Sequence, residues 1–406
     1  MNFHFTFTEG RIVRGCALLF FIEILFLAFF DYILLFLILI KGYNLKQNKV
    51  LTISEPVFLD YLHSFRGLAI LKIVFGHAMA AAFIGVYGYF DDSHPILMTS
   101  EIFYHDSTLY FAIISGLLFS KILKHKGYLH FYKSKLKHIL LPYLFVTIVF
   151  TLTKIDFNHF SSFNEGLAYV LHKIWMNFVF GQASFALWYI PVLLFLYVIT
   201  PVLDFLLTYN NFSKYLFFII IFMPLLISRI PIMREYNLRF ETLVYFTGAY
   251  SLGMFLGSHL NKNLVLIKTN KVLILIIAIM STIGLFYLYI GHINMLGNVN
   301  IKETVFYIQK ICFAFLFILF FYNYRKQPVF LKPIARDSFS IYFLHGSILY
   351  SILPLCIFVF KDSIVEPVNA ILIAIVLFIL SIFISRIIVF LFRKILPRHS
   401  RIIIGA

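Results

Sequence analysis

Apolar runs dominate this chain, and their length decides what it can become. Eleven stretches, at about 13–40, 66–88, 106–123, 139–154, 184–208, 215–233, 240–258, 272–291, 304–323, 338–360 and 368–392, are separated by short polar loops. A helix needs roughly 20 mostly apolar residues to cross a hydrocarbon core, where no water can satisfy exposed backbone groups. Of the 406 residues, 61% are hydrophobic, 51 are phenylalanine and only 13% are charged. That balance excludes a soluble enzyme, a nucleic-acid-binding module and a disordered tail. The expected fold is all-α, a polytopic membrane helix bundle.

The charge is uneven as well as low. Lys and Arg number 34 against 18 Asp and Glu. If alternate loops face the same side, most cations fall on one of them: Lys41 to Lys49, Lys121 to Lys137, Lys214, Lys262 to Lys271, Arg325 to Arg336 and Arg393 to Arg401. Cation-rich loops stay in the cytoplasm, so this side and the C-terminus are expected inside. An excess of this kind reports loops beside anionic lipid, and a nucleic-acid partner is not expected. The first run carries Glu23 and Asp31 and lacks a small-residue cleavage site, so a retained anchor is expected over residues 13–40.

Other features have structural readings. Leu167, Val170, Leu171, Ile174, Trp175 and Phe178 recur at helical spacing with His172 and Lys173 opposite, which predicts an amphipathic helix lying at the interface, either a connector or a lid. Gly253 and Gly257 form a GxxxG helix contact. Cys16, Cys312 and Cys356 show no metal or disulfide spacing, and a bound metal is not expected. The chain has no Walker loop, GxGxxG, HExxH or GxSxG, which removes support for ATP-driven transport and serine hydrolysis.

Charge at membrane depth is costly, so the ionisable residues within runs are the first candidates for chemistry. They include Arg66, Lys72, His77, Asp106, Asp204, Lys310, His345 and Arg386, of which Asp204 and Arg386 lie near run ends. Eleven positions at 100° each return Arg66 and His77 to one helix face, about 16 Å apart. That face offers an anion-binding cation at the mouth and a titratable base within. A buried histidine bonded to a neighbouring helix and an arginine on lipid phosphate fit the same spacing. His345 stands about 10 Å into its own run, where it faces His77 or satisfies an interhelical bond. Trp188 and Tyr189 read equally well as an aromatic belt.

The string FRGLAILKIVFGHA, residues 65–78, resembles the opening helix of the acyltransferase-3 family of integral membrane acyltransferases, whose hallmark of Arg, ten residues and His falls on Arg66 and His77. Further stretches follow in the same order: FAIISG with Ser115 and Gly116, a basic segment running into LLPYL, LWYIPVLL with Trp188 and Tyr189, YSLGMFLG, and SFSIYFLHGSIL with His345. Three departures stand out. An Asp common three residues before the Arg is His63 here, with Asp60 the nearest replacement. The His-Met-Pro sequence of a sugar-acetylating subgroup is absent, and His105 stands in another register. Arginines usual before LLPYL are replaced by Lys135 and His138.

The resemblance implies a ten-helix core over residues 57–395, preceded by an extra N-terminal helix and linker over 1–56 and followed by a basic tail over 396–406. It implies transfer of an acyl group, foremost acetyl, from cytoplasmic acyl-CoA to a sugar hydroxyl of a cell-envelope polysaccharide or its lipid-linked precursor, in a bacterial cytoplasmic membrane. Acyl-CoA is then a co-substrate, and no bound cofactor is expected. On this reading Arg66, Lys133, Lys135, Lys137 and His138 hold the donor's phosphates beside Ser115 and Gly116. His77 is a general base or carries the acyl group itself, while His345, Tyr342, Trp188, Tyr189 and Asp106 orient it or meet the acceptor. The rival reading is a transporter or flippase for a glycan precursor, for which paired halves with matching broken helices would be expected and are not found.

Overall fold

The computed structural model describes residues 55–90, 94–160, 162–227, 229, 238–297, 299–323, 328–360 and 366–405. The anchor expected at 13–40 lies outside them. In chain order the helices are α1 Glu55–Tyr87, α2 Pro95–Tyr104, α3 Thr108–Leu118, α4 Tyr128–Lys135, α5 Leu141–Leu152, α6 Phe163–Phe180, α7 Tyr189–Thr208, α8 Asn211–Leu226 and α9 Phe240–Ser258. They continue as α10 Leu260–Thr269, α11 Lys271–Ile290, α12 Ile301–Asn323, α13 Leu331–Arg336, α14 Ser338–Phe360, α15 Glu366–Ile395 and α16 Ser400–Ile403. Strand is confined to the pairing of Met295–Leu296 with Val299–Asn300 among the described residues. Eight helical stretches are long and apolar enough to cross a membrane, and the chain is an all-α polytopic bundle.

Local chemistry sets the helix ends. Pro95 opens α2 behind His94, whose ring accepts from the Ile96 amide. Ser162 caps α6 through the Glu165 amide, and Gly181 ends it in the left-handed conformation. Asn210 caps α8 by accepting from the Ser213 amide. The run expected at 106–123 begins earlier than its apolar stretch. Between α2 and α3 the chain breaks at Asp106, whose φ of +53° is tolerated by a short polar side chain. α3 then continues through a π turn at Phe119–Leu123, and a second π turn at Leu136–Leu140 joins α4 to α5.

The stretch Pro95–Lys126 is central, with 78% of its most apolar window buried, whereas Pro367–Ile395 is peripheral at 28%. Its partner is α9, and the two backbones nearly touch. A Cβ on Gly116 would meet the Tyr250 carbonyl, one on Gly253 the Ile113 carbonyl, and one on Gly257 the Leu117 carbonyl. Lipid tails are as apolar as the side chains, so association inside a bilayer depends on this kind of close fit. The GxxxG is therefore a packing device, and Gly116 belongs to the same crossing. The amphipathic helix expected around residues 167–178 is α6: Leu167, Leu171 and Trp175 are exposed while Val170 turns inward. Its end is fastened to α5 by Asn177 donating to Thr151 Oγ1 at 2.9 Å.

Candidate active site

His77 and His345 meet directly. His77 Nδ1 lies 2.9 Å from His345 Nε2, with ring planes 3° apart. The other nitrogen of His345, Nδ1, is 3.0 Å from the Ile341 carbonyl and 2.9 Å from that of Tyr342. A carbonyl only accepts, so His345 Nδ1 carries a proton. In its neutral form His345 then offers a lone pair at Nε2, which accepts a hydrogen bond from His77 Nδ1–H. The lone pair of His77 is thereby fixed on Nε2, and a helix backbone sets the tautomer of both rings. His345 is fully buried and His77 half-buried.

A non-helical turn closes over this pair. The run expected to start at 184 enters its helix only at Tyr189, and residues 181–188 form a turn that is buried except at Gln182 and Phe185, with Trp188 half-buried. Phe185 sets its ring edge-on to His77 with centroids 4.9 Å apart. Gly346, next to His345, lets the turn approach, since a Cβ there would lie 2.7 Å from Ser184 Oγ. Irregular backbone at this depth must be satisfied by protein. Tyr342 donates its hydroxyl to the Ala186 carbonyl at 2.5 Å, and Lys154 donates to that of Ala183 at 2.6 Å. The Tyr342 hydroxyl thus holds the turn, and this residue meets His345 through its carbonyl. Tyr189 is buried against Phe246 and Tyr342, away from any lipid belt. Trp188 sits half-buried beside it.

At the end of α1 richer in cations, Arg66 donates to the Ala335 carbonyl at 2.9 Å and lies 3.1 Å from His63 Nδ1. His63 thus fills the place of the missing carboxylate with a neutral acceptor. No carboxylate among the described residues pairs with Arg66, so its charge stays available to an anion. Lys135 lies 4.5 Å over the Tyr197 ring, and the Tyr197 hydroxyl is 3.5 Å from Ser115 Oγ. Arg66, Lys135, Tyr197 and Ser115 therefore gather at one end, with His138 close to Lys135 and Lys137. Lys133 and Lys137 are exposed. Asp204, about two turns beyond Tyr197 on α7, is bonded to Lys124 Nζ and to the Tyr128 hydroxyl, both at 2.7 Å.

Asp106 belongs to a second buried group that the sequence did not assemble. Arg229 bonds Asp106 Oδ1 at 2.5 Å and Glu303 Oε2 at 3.0 Å, and Tyr245 donates to Asp106 Oδ2 at 2.9 Å. His105 bridges Glu101 at 3.1 Å and Glu303 at 3.2 Å. Nearby, Lys310 donates to the carbonyls of Ile102 and Phe103, which the break at Asp106 leaves without helical partners. His105, Asp106 and Glu303 hold donor atoms within 4.8 Å of one another, a spacing that suits a cation. The Arg229 guanidinium already bonds both carboxylates and fills that role. The signal in the sequence was Asp106 itself, because a carboxylate at that depth requires a cation. Arg229 stands near the end of the run at 215–233 and reads as an outer-loop cation, and Glu303 falls one residue before the run at 304–323. The chain beside each group packs together: a Cβ on Gly76, next to His77, would meet Tyr104, next to His105, and Arg229 lies 5.9 Å from the Trp188 ring.

A paired imidazole inside a helix bundle, reached along one helix face from an uncompensated arginine, is an arrangement suited to moving a proton during group transfer. The match to known proteins agrees with it. The family described as an acyltransferase domain, acyltransferase-3, matches residues 59–390, which include both histidines and Arg66. No curated protein and no solved structure matches the chain. The chain belongs to the acyltransferase-3 family and is a multi-pass membrane acyltransferase.

Proposed function

We propose that this protein transfers an acyl group, foremost acetyl, from cytoplasmic acyl-CoA to a sugar hydroxyl of a cell-envelope polysaccharide or its lipid-linked precursor. The observation that carries the reading is the His77–His345 hydrogen bond, with the lone pair of His77 held on Nε2. The donor enters from the cation-rich end, its phosphates near Arg66 and Lys135. Its long thin arm runs along the α1 face over the rise of about 16 Å to His77. The acceptor hydroxyl arrives from the opposite side, near Trp188.

His77 Nε2 removes the hydroxyl proton as the sugar oxygen attacks the thioester carbonyl carbon. His345 Nε2 accepts more strongly from His77 Nδ1 as the imidazolium forms, which stabilises the charge without moving that proton. When the carbon–sulfur bond breaks, the Nε2 proton passes to the departing thiolate. The products are the acyl ester and free coenzyme A. Phe185 of the turn, edge-on to His77, covers part of the ring beside the thioester.

The test is incorporation of labelled acetyl from acetyl-CoA into envelope polysaccharide, comparing the unaltered chain with His77→Ala at equal membrane abundance. Label that disappears in the variant supports the reading. Label that persists removes His77 from the chemistry. Loss of glycan export without any acylation would instead point to a transporter.

A further inference from the structure

The carboxy-terminal segment folds back onto the bundle. The end of α15 is fastened by Arg393, which donates to Asp337 Oδ1 at 2.6 Å. The chain then turns through 396–399 into α16, with the Ser400 amide donating to the Leu396 carbonyl at 2.8 Å. Ser400 and Ile404 are buried, and α16 packs on α5 and on the π turn before it. Gly405, at φ +74°, brings its backbone against Phe339 and Phe343 of α14. This docking brings Arg401 within electrostatic reach of both Arg66 and His138.

Four basic groups from four parts of the chain therefore converge: Arg66 from α1, Lys135 from α4, His138 from the π turn and Arg401 from α16. Among the described residues none of them pairs with a carboxylate. Two buried nitrogens of the group, Arg66 Nε and His138 Nδ1, have no hydrogen-bond partner there. The two guanidinium groups and the lysine ammonium brought together by a docked backbone call for an anion between them, and the unpartnered His138 ring faces the same place. Two guanidinium groups favour an anion with several oxygens on each phosphorus. We propose that Arg66, Lys135, His138 and Arg401 form one site for a phosphate-bearing anion, and that Arg401, beyond the region matched by the family, supplies its second guanidinium. Under the function proposed above the anion is the phosphorylated head of the acyl donor, and a lipid phosphate carries the same chemistry.

The experiment uses the full chain in nanodiscs of neutral phosphatidylcholine and measures binding of coenzyme A, with phosphate-free pantetheine as the control. The unaltered chain is expected to bind coenzyme A more tightly than pantetheine. Arg401→Gln should weaken coenzyme A about tenfold, the loss expected for one charge-assisted contact. Arg401→Lys should fall between, and Arg398→Gln, on the exposed turn, should bind as the unaltered chain does. Equal melting of Arg401→Gln and the unaltered chain separates lost binding from an undocked tail. If replacing part of the lipid by phosphatidylglycerol displaces coenzyme A from the unaltered chain but not from Arg401→Gln, the site stands and lipid phosphate is an occupant. Equal affinity of Arg401→Gln and the unaltered chain, with the same response to phosphatidylglycerol, overturns the role of Arg401. The acyl-transfer reading survives that outcome so long as His77→Ala still abolishes transfer. Absence of any anion binding by the unaltered chain overturns the site.

Discussion

His345 accepts from His77 at 2.9 Å while its own Nδ1–H is turned back on the backbone of α14, so one ring nitrogen of each histidine is fixed by the other helix or by its own. The relationship ties α1 to α14 across 268 positions of sequence. Under the function proposed above it also ranks the two residues, with His77 as the one that meets the substrate and His345 as the one that positions it.

His77→Ala should lower kcat for acyl transfer by about 10²- to 10⁴-fold, the usual range for removal of a general base. The measurement is turnover of acetyl-CoA in membranes of equal protein content. Folding should survive, because His77 is half-buried and a smaller side chain leaves room for water from the substrate side.

His345→Ala should cost about 10- to 100-fold in kcat, as for other residues that orient a functional histidine. His345→Gln should recover part of that loss, since its carbonyl oxygen can accept from His77 Nδ1. KM for acetyl-CoA should change little in either variant. Equal losses in both, accompanied by lower melting temperatures, would mean that His345 only supports packing.

Arg229→Gln leaves Asp106 and Glu303 buried without their shared cation, and the expected loss is about 3–5 kcal/mol of stability. The double variant Asp106→Asn with Arg229→Gln should be less impaired than the sum of the single changes, because the uncompensated charge is smaller. Thermal melting of the purified protein in detergent measures both.

Gly116→Ala should reduce the amount of folded protein in the membrane, because its Cβ would press on the Tyr250 carbonyl at the α3–α9 crossing. Ser115→Ala leaves that crossing intact and should fold normally. Quantifying abundance alongside activity distinguishes these expectations from donor binding by Gly116, which would leave abundance unchanged and raise KM.

The number and kind of elements were legible because their cause is local. A run of about twenty apolar residues in a solvent without water satisfies its backbone as a helix, whatever its neighbours do. Ten of the runs found in the sequence, from the one at 66–88 onward, hold helices here. The alignment of Arg66 with His77 was equally local, a matter of helical pitch. The break at Asp106 was not visible, since the apolar run begins there in the sequence and α2, short and interrupted by Thr99, Ser100 and Glu101, reads as part of the loop before it.

What joins distant parts of the chain required the tertiary structure. Nothing near His345 states that its Nδ1 faces a carbonyl, and that alone decides which nitrogen of His77 keeps a lone pair. The sequence offered Trp188 and Tyr189 to a lipid belt or to a sugar, and only packing buried Tyr189 while leaving Trp188 beside Arg229. Asp106 announced that it needed a partner, but Arg229 and Glu303 come from other loops and helix ends. The sequence determined the bundle through hydrophobicity and pitch, which act within a turn or two of helix. The pairing of charges and imidazoles was decided by how those helices pack, because electrostatic and hydrogen-bond partners are chosen by distance in space.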